Sequence, residues 1–180
     1  MQEPERPGSA TKVQQAGFTL LEMILASAVL MFGIVSVMQL VPASLKTSVN
    51  NRLDTMATVV AQRELDQMLS QPLTSTAFLD ADLHSISLGG AGTTGANVLM
   101  DGQSTTIDFS SDISTVPAGF STFYVDLNDP LRATFELRWA VFSEVNGGTV
   151  ISRRIIVGCR RMNSNTGVFP VTLDSSVEKF

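Results

Sequence analysis

The sequence predicts an α+β protein in which one long N-terminal helix packs on an antiparallel β-sheet. Two observations support this fold class. A helical pattern runs over residues 18–71, and from about residue 105 apolar and polar residues alternate as they do in strands. The predicted organisation is a polar leader at 1–17, the helix at 18–71 and a globular β-sheet domain at 72–180.

The leader does not have the pattern of an ordinary secretory signal. Residues 1–17 are polar and hold two prolines, whereas a secretory signal has an apolar stretch followed by a small-residue cleavage site. Ala26-Ser27-Ala28 imitates such a site, but it follows Gly17 closely and Glu22 lies between them. Cleavage at Ala28 is therefore not the favoured interpretation.

The apolar run Phe18–Val41 is long enough to cross a bilayer. As a helix it would span about 36 Å, against a hydrocarbon core of about 30 Å. Glu22 is the one acid in this run, and a carboxylate there is costly enough to predict a partner for it. Pro42 removes a backbone hydrogen bond, so we expect a kink in the segment between Gly33 and Pro42.

Beyond Pro42 the helix becomes amphipathic and ends before Pro72. Its apolar residues recur at spacings of mostly three or four: Leu45, Val49, Leu53, Met56, Val60, Leu65 and Met68. This face predicts a sheet that covers it.

The remainder is predicted to be a loop followed by an antiparallel sheet. Residues 73–104 are poorly patterned, and the glycine-rich stretch 88–95 is expected to be irregular and mobile. Alternation predicts strands around residues 105–109, 123–127 and 133–141, the last with Trp139 in the core. Asn146-Gly147 is predicted to form the turn into a partner strand at about 151–159.

Composition excludes several classes of function. The net charge of −5 argues against nucleic-acid binding. The one cysteine, Cys159, cannot form an intramolecular disulfide and is predicted to be a buried apolar residue rather than a catalytic thiol. The arginines at 153, 154, 160 and 161 are interpreted as paired or solvated sheet charges, not as an anion site.

Nothing in the sequence predicts an enzyme, a cofactor or a metal. Asp80, Asp82 and His84 alternate in FLDADLHS, but three such residues are weak support for a metal site, and a solvated loop is favoured. The sequence shows no nucleophile with a neighbouring base and no phosphate-binding loop.

A cut between Gly17 and Phe18 would give Glu22 a partner. It would create a free amine at Phe18. An ammonium or a carboxylate alone in an apolar medium has a large desolvation cost, and pairing the two recovers much of that cost. Pairing within one helix is strained. Pairing between two parallel helices would set their axial register and draw a new subunit onto an assembly.

The segment Gly17-Phe18-Thr19-Leu20-Leu21-Glu22 and the apolar run after it resemble the class III signal of type IV prepilins and pseudopilins. The resemblance implies a type IV pilin-like fold, cleavage after Gly17 by a prepilin peptidase, N-methylation of Phe18 and a role for Glu22 in assembly. It also implies other pilin or pseudopilin subunits and an inner-membrane assembly platform as partners. The continuation of the helix is most similar to minor pilins of the pilus-modification type.

The sequence departs from the family pattern, and the first of these departures favours a minor subunit. A single cysteine excludes the C-terminal disulfide loop that is usual in major pilins, and the leader is longer and less basic than many. The expected location is the bacterial inner membrane for the precursor, as a single-pass protein, and then a surface pilus or a periplasmic pseudopilus. Two alternatives stay open: a minor pseudopilin of a type II secretion or DNA-uptake system, and a single-span membrane-anchored binding domain.

Overall fold

The computed structural model describes residues 17–102, 104–127, 132–162 and 170–178. The leader at 1–16 lies outside the described residues. The chain divides into two compact units, of which the first ends at Thr47 and the second begins at Ser48. The predicted fold class is confirmed: a long apolar helix precedes antiparallel sheets, and its later turns pack on one of them.

Helix α1 runs from Leu20 to Leu69, 50 residues, and includes both Gly33 and Pro42 without a break. The segment between these two residues is thus helical. The kink at Gly33 and Pro42 stays a prediction.

The described residues after the helix form nine strands: β1 Ala77–Leu79, β2 Ser85–Ser87, β3 Gly92–Gly95, β4 Val98–Asp101, β5 Ser104–Ile107, β6 Ser121–Val125, β7 Thr134–Asn146, β8 Thr149–Arg161 and β9 Val171–Glu178. The main sheet has the order β3-β7-β8-β9, and β6 pairs with β7 beside β3. Its strand pairings are antiparallel. The hairpins β1–β2 and β4–β5 form two further small sheets.

The main core lies between the second part of α1 and one face of this sheet. Its central residue is Trp139, which is fully buried as predicted, and its indole N–H donates to the Ser87 carbonyl at 2.8 Å. The helix contributes Leu53, Ala57, Val60, Ala61, Leu65 and Met68, all at most 6% exposed. The predicted apolar face is therefore correct from Leu53 onward, whereas Leu45 and Val49 are exposed.

The opposite face of the sheet is also covered, which the sequence interpretation did not anticipate. Residues 96–116 pack against it, with Ile107 in a second core. Glu136 and Arg138 are therefore buried, although alternation placed them away from the main core. Gly158 allows this close approach, because a Cβ there would lie 2.7 Å from the Ile107 Cβ and 2.8 Å from Phe109 Cε2.

The predicted loop at 73–104 contains the four strands β1 to β4, so the prediction of a loop was wrong there, and so was the prediction that the glycine-rich stretch 88–95 forms no element. Gly92–Gly95 is strand β3 and pairs with Ala140–Ser143 of β7. Gly95 has φ +112°, and a Cβ there would lie 2.5 Å from the Trp139 carbonyl oxygen. Glycine is present here because the two backbones meet closely.

The turn between β7 and β8 is shifted by one residue from the prediction. Asn146 pairs with Thr149 inside the strand ladder, and Gly147 and Gly148 form the turn with φ of +60° and +82°. Both turn residues have positive φ, as tight hairpin turns of the I′ type require.

The predicted pairing of sheet arginines is correct for two of them. Arg154 forms an ion pair with Asp174 of β9, and Arg160 donates from Nε to Glu136 Oε2 at 2.7 Å. Arg153 departs from the prediction: it lies on the buried face of β8 and donates from Nη2 to two backbone carbonyls of the segment after α1, each at 2.8 Å. Burial lowers the pKa of its guanidinium.

Cys159 is fully buried, as predicted. Burial, together with the charge of Glu136, raises the pKa of its thiol to about 12. The thiolate is thus scarcely populated at neutral pH, which fits a packing residue rather than a reactive one.

Candidate functional site

The start of α1 is fixed by a threonine cap. The Glu22 backbone N–H donates to Thr19 Oγ1 at 3.2 Å, and the Met23 N–H donates to the Thr19 carbonyl, also at 3.2 Å. Thr19 therefore satisfies donors that the first helical turn would leave unpaired. Sequence reasoning missed this role, although the Thr-x-x-Glu spacing of a capping box signals it.

The predicted cleavage junction lies just outside the helix. Residues 17–19 are in no regular structure, and Phe18 is 76% exposed. Apart from the chain neighbours of Gly17, no atom of the described residues lies within 4 Å of the position that its Cβ would occupy. The junction is thus an exposed, non-helical peptide, which is the form a peptidase needs. The described part of the fold does not require glycine at position 17.

Glu22 is the acidic residue of the first helical turn and is exposed. A carboxylate is favourable there because the helix N-terminus carries a partial positive charge. An amine created at Phe18 would stand at the same positive end, where it is unfavourable without a nearby anion. Glu22 is therefore placed to stabilise such an amine, on its own helix or on a neighbouring one.

The first part of the helix is exposed on every side. All residues from 17 to 49 are exposed, and the helix contains an apolar window long enough to span a membrane, none of it buried. Gly33 leaves a shallow gap, because nothing beyond its chain neighbours and the adjacent backbone of its own helix lies within 4 Å of the place its Cβ would take. An apolar groove of about 600 Å³ results, lined by Val29, Leu30, Gly33, Ile34, Val37 and Met38. Small residues at such positions let helices approach closely in membranes.

Comparison with known protein families identifies this region. The family model of the prokaryotic N-terminal methylation motif matches residues 12–38, which include the junction, Glu22 and most of the apolar run. The N-terminus thus carries a type IV pilin signal, and this match supports the resemblance to the type IV prepilin and pseudopilin superfamily. No curated protein and no solved structure matches the chain.

The motif has direct consequences for processing. It implies a membrane-anchored precursor that is processed by a prepilin peptidase and assembles with other pilin subunits. The predicted site residues Gly17, Phe18 and Glu22 all lie within the matched range. Their individual roles in cleavage, methylation and assembly stay predictions.

A second cluster of polar side chains closes the turn between β1 and β2. Oxygen and nitrogen atoms of Asp80, Asp82 and His84 lie within 4.8 Å of one another. Asp80 is buried, not solvated as expected, and its Oδ1 accepts the backbone N–H groups of Asp82 and His84 at 2.9 and 2.7 Å. Its Oδ2 lies 2.8 Å from His84 Nδ1. These contacts show that Asp80 organises the turn.

Two polar contacts hold this turn against the helix. Arg63 Nη2 donates to Asp82 Oδ2 at 2.7 Å and to Glu64 Oε1 at 2.8 Å. Gln67 Oε1 accepts the Ala81 N–H at 3.1 Å. Glu64 is only 2% exposed, and this burial raises the pKa of its carboxyl group. The Arg63–Asp82 and Gln67–Ala81 contacts therefore fix the turn against α1.

Proposed function

We propose that this protein is a minor pilin-type structural subunit of a type IV pilus. It is cleaved after Gly17, methylated on the amine of Phe18 and assembled through its N-terminal helix. The observation that carries the proposal is the methylation motif followed directly by a helix whose every residue up to position 49 is exposed. Such a helix needs lipid before assembly and other helices afterwards.

The proposed mechanism is assembly without catalysis. The amine of Phe18 in one subunit pairs with Glu22 of a neighbour, and the pair sets the axial register between two parallel helices. The inner-membrane assembly platform and the other pilin subunits are the proposed partners. The single buried cysteine favours a minor subunit, because it rules out an intramolecular disulfide loop.

The second candidate is a minor pseudopilin of a type II secretion or DNA-uptake system. The same motif supports it, since the motif is common to both kinds of filament. A single-span anchor for a binding domain is the third candidate, in which residues 1–17 would be retained.

The test is incorporation into filaments. Glu22→Val is expected to leave cleavage intact and to remove the subunit from filaments sheared from the cell surface, measured by quantitative mass spectrometry. Asp54→Val is the matched control, because Asp54 is an exposed acid further along the same helix. It should be incorporated at the native level.

Two results would count against the proposal. Normal incorporation of Glu22→Val would contradict the role of the carboxylate. Detection of the native subunit only in periplasmic assemblies, and never in sheared fibres, would favour the pseudopilus.

A further inference from the structure

We propose that the β1–β2 turn and strand β6 form a docking surface for a neighbouring filament subunit. The contacting segment of that subunit is a helix with a lysine or arginine among apolar side chains. The surface consists of Asp82, Leu83, Phe123, Val125 and Leu127 and is called the turn–β6 surface. This inference rests on the proposed function, because it names the kind of partner that an assembled subunit would meet.

The turn–β6 surface exposes four large apolar side chains. Leu83 is 78% exposed, Leu127 77%, Phe123 44% and Val125 38%. A cavity of about 450 Å³ lies beside Leu83. It is lined by its two sequence neighbours and by residues of and after β6, with one arginine of the helix: Asp82, His84, Phe123, Tyr124, Val125, Leu127 and Arg63. A grouped apolar surface with a polar rim is typical of protein interaction sites.

Leu83 is held in a conformation that leucine disfavours. Its φ is +65°, in the left-handed region where a Cβ is strained. The Asp80 hydrogen bonds and the Arg63–Asp82 contact fix the turn in spite of this strain. Glycine would satisfy the backbone better, so the local fold does not explain why a large apolar side chain points outward here.

The charge around the turn–β6 surface favours a cationic partner. Among the residues that the structure describes there, Arg63 pairs with Glu64 and Asp82, and Asp80 lies 2.8 Å from the half-exposed His84, so three acids stand beside one arginine. Excess negative charge beside apolar groups is complementary to a segment that carries a positive charge among apolar residues.

The chain itself shows what such a segment looks like. Leu45 and Val49 are 62% and 47% exposed at a spacing of four on the helix, with the exposed Lys46 beside them. On a neighbouring subunit, a helical segment of this kind would bring its apolar pair to Leu83 and Phe123 and its cation to Asp82. We therefore assign the occupant as the equivalent helical segment of a neighbouring pilin-type subunit.

Site-specific photocrosslinking of the full chain in the producing cells tests the assignment. With p-benzoylphenylalanine at position 83, sheared filaments should yield a crosslinked peptide from the helix of a pilin-type subunit that carries lysine or arginine among apolar residues. The same crosslinker at Met100, which is 71% exposed on β4, is the control and should not yield this peptide. Adding Glu22→Val should remove the product, because it removes assembly.

Leu83→Gly separates docking from folding. It deletes the side chain and relieves the positive φ, so we expect an unchanged or higher thermal midpoint and normal cleavage. Incorporation into filaments should nevertheless fall about fivefold, the size expected for an interface residue of moderate importance. Met100→Ala should be incorporated normally.

The two proposals fail in different ways. If native subunits are in filaments but position 83 yields no crosslink, or crosslinks only to a protein without a prepilin signal, the docking surface is wrong and the proposed function stands. Normal incorporation of Leu83→Gly would likewise overturn the docking surface. If native subunits are in no filament at all, the proposed function fails and this partner fails with it.

Discussion

The two units of the chain place the apolar residues of one helix in opposite environments. From Phe18 to Leu45, in the first unit, they are exposed, whereas from Leu53 to Met68, in the second, those on one face are at most 6% exposed under a sheet. The first unit is therefore suited to surroundings that lie outside the monomer, and the second to its own core. Substitutions in the first unit should change processing and assembly, and those in the second should change stability.

The largest expected effect is on processing. Gly17→Val should abolish cleavage, because the side chain would enter the junction that the peptidase recognises. The folded unit should be unaffected, since no described atom other than those of the chain neighbours lies within 4 Å of the added Cβ. Immunoblotting for the precursor and a thermal melt in detergent would measure the two effects.

A glycine in the second unit provides the control for this substitution. Gly90 likewise has no described atom within 4 Å of the place where a Cβ would be added, and its φ is not positive. Gly90→Val should therefore leave cleavage at the native level. Full cleavage of Gly17→Val would mean that the junction is elsewhere.

The next largest effect is on the free energy of unfolding, which should depend on one phenylalanine and not on another. Phe135 is fully buried in β7, and Phe32 is 76% exposed on the N-terminal helix. Phe135→Ala should lower the free energy of unfolding by about 3–5 kcal/mol. Phe32→Ala should leave it almost unchanged, because it empties no cavity in the monomer. Denaturant unfolding in a mild detergent would measure both values, and equal losses would contradict the division into two environments.

The smallest effect is a pH dependence confined to the second unit. Hydrogen bonds from Ser110, and then from Ser111, lower the pKa of Asp108 to about 2 from 3.8. The unfolded chain therefore takes up this proton first as the pH falls. The stabilisation is complete above about pH 4 and is lost between about pH 4 and about pH 2.

Asp108→Asn should consequently lose less stability than the native protein over that interval. Ser110→Ala removes the largest cause of the lowered pKa, so it should change the pH profile in the same direction. Thermal midpoints measured from about pH 5 to about pH 2 would give the difference. Parallel profiles for all three proteins would show that the carboxylate does not act in this way.

Sequence patterns predicted the parts of the fold that depend on local periodicity. The long helix, the β7–β8 hairpin and the buried Trp139 followed from spacing alone. The same holds for the signal, because Gly17 to Glu22 form one contiguous motif. These features need no knowledge of which distant residues meet.

The features that escaped prediction depend on contacts between distant segments. Strand β3 was not predicted because glycine normally indicates a loop, whereas the glycines here allow the backbone to lie close to β7. The burial of Glu136 and Arg138 depends on the segment 96–116, whose covering role has no periodic signature. Asp80 resembled a solvated loop residue because its partners are backbone amides of its own turn.

The most direct test of the central claim is the mass of the mature N-terminus. The protein purified from its native host should begin at Phe18 and carry one methyl group on that amine, as shown by mass spectrometry of the N-terminal peptide. A protein that retains residues 1–17, including Met1 or the residue after it, would contradict the assignment of the helix as an assembly segment. It would then be a membrane anchor.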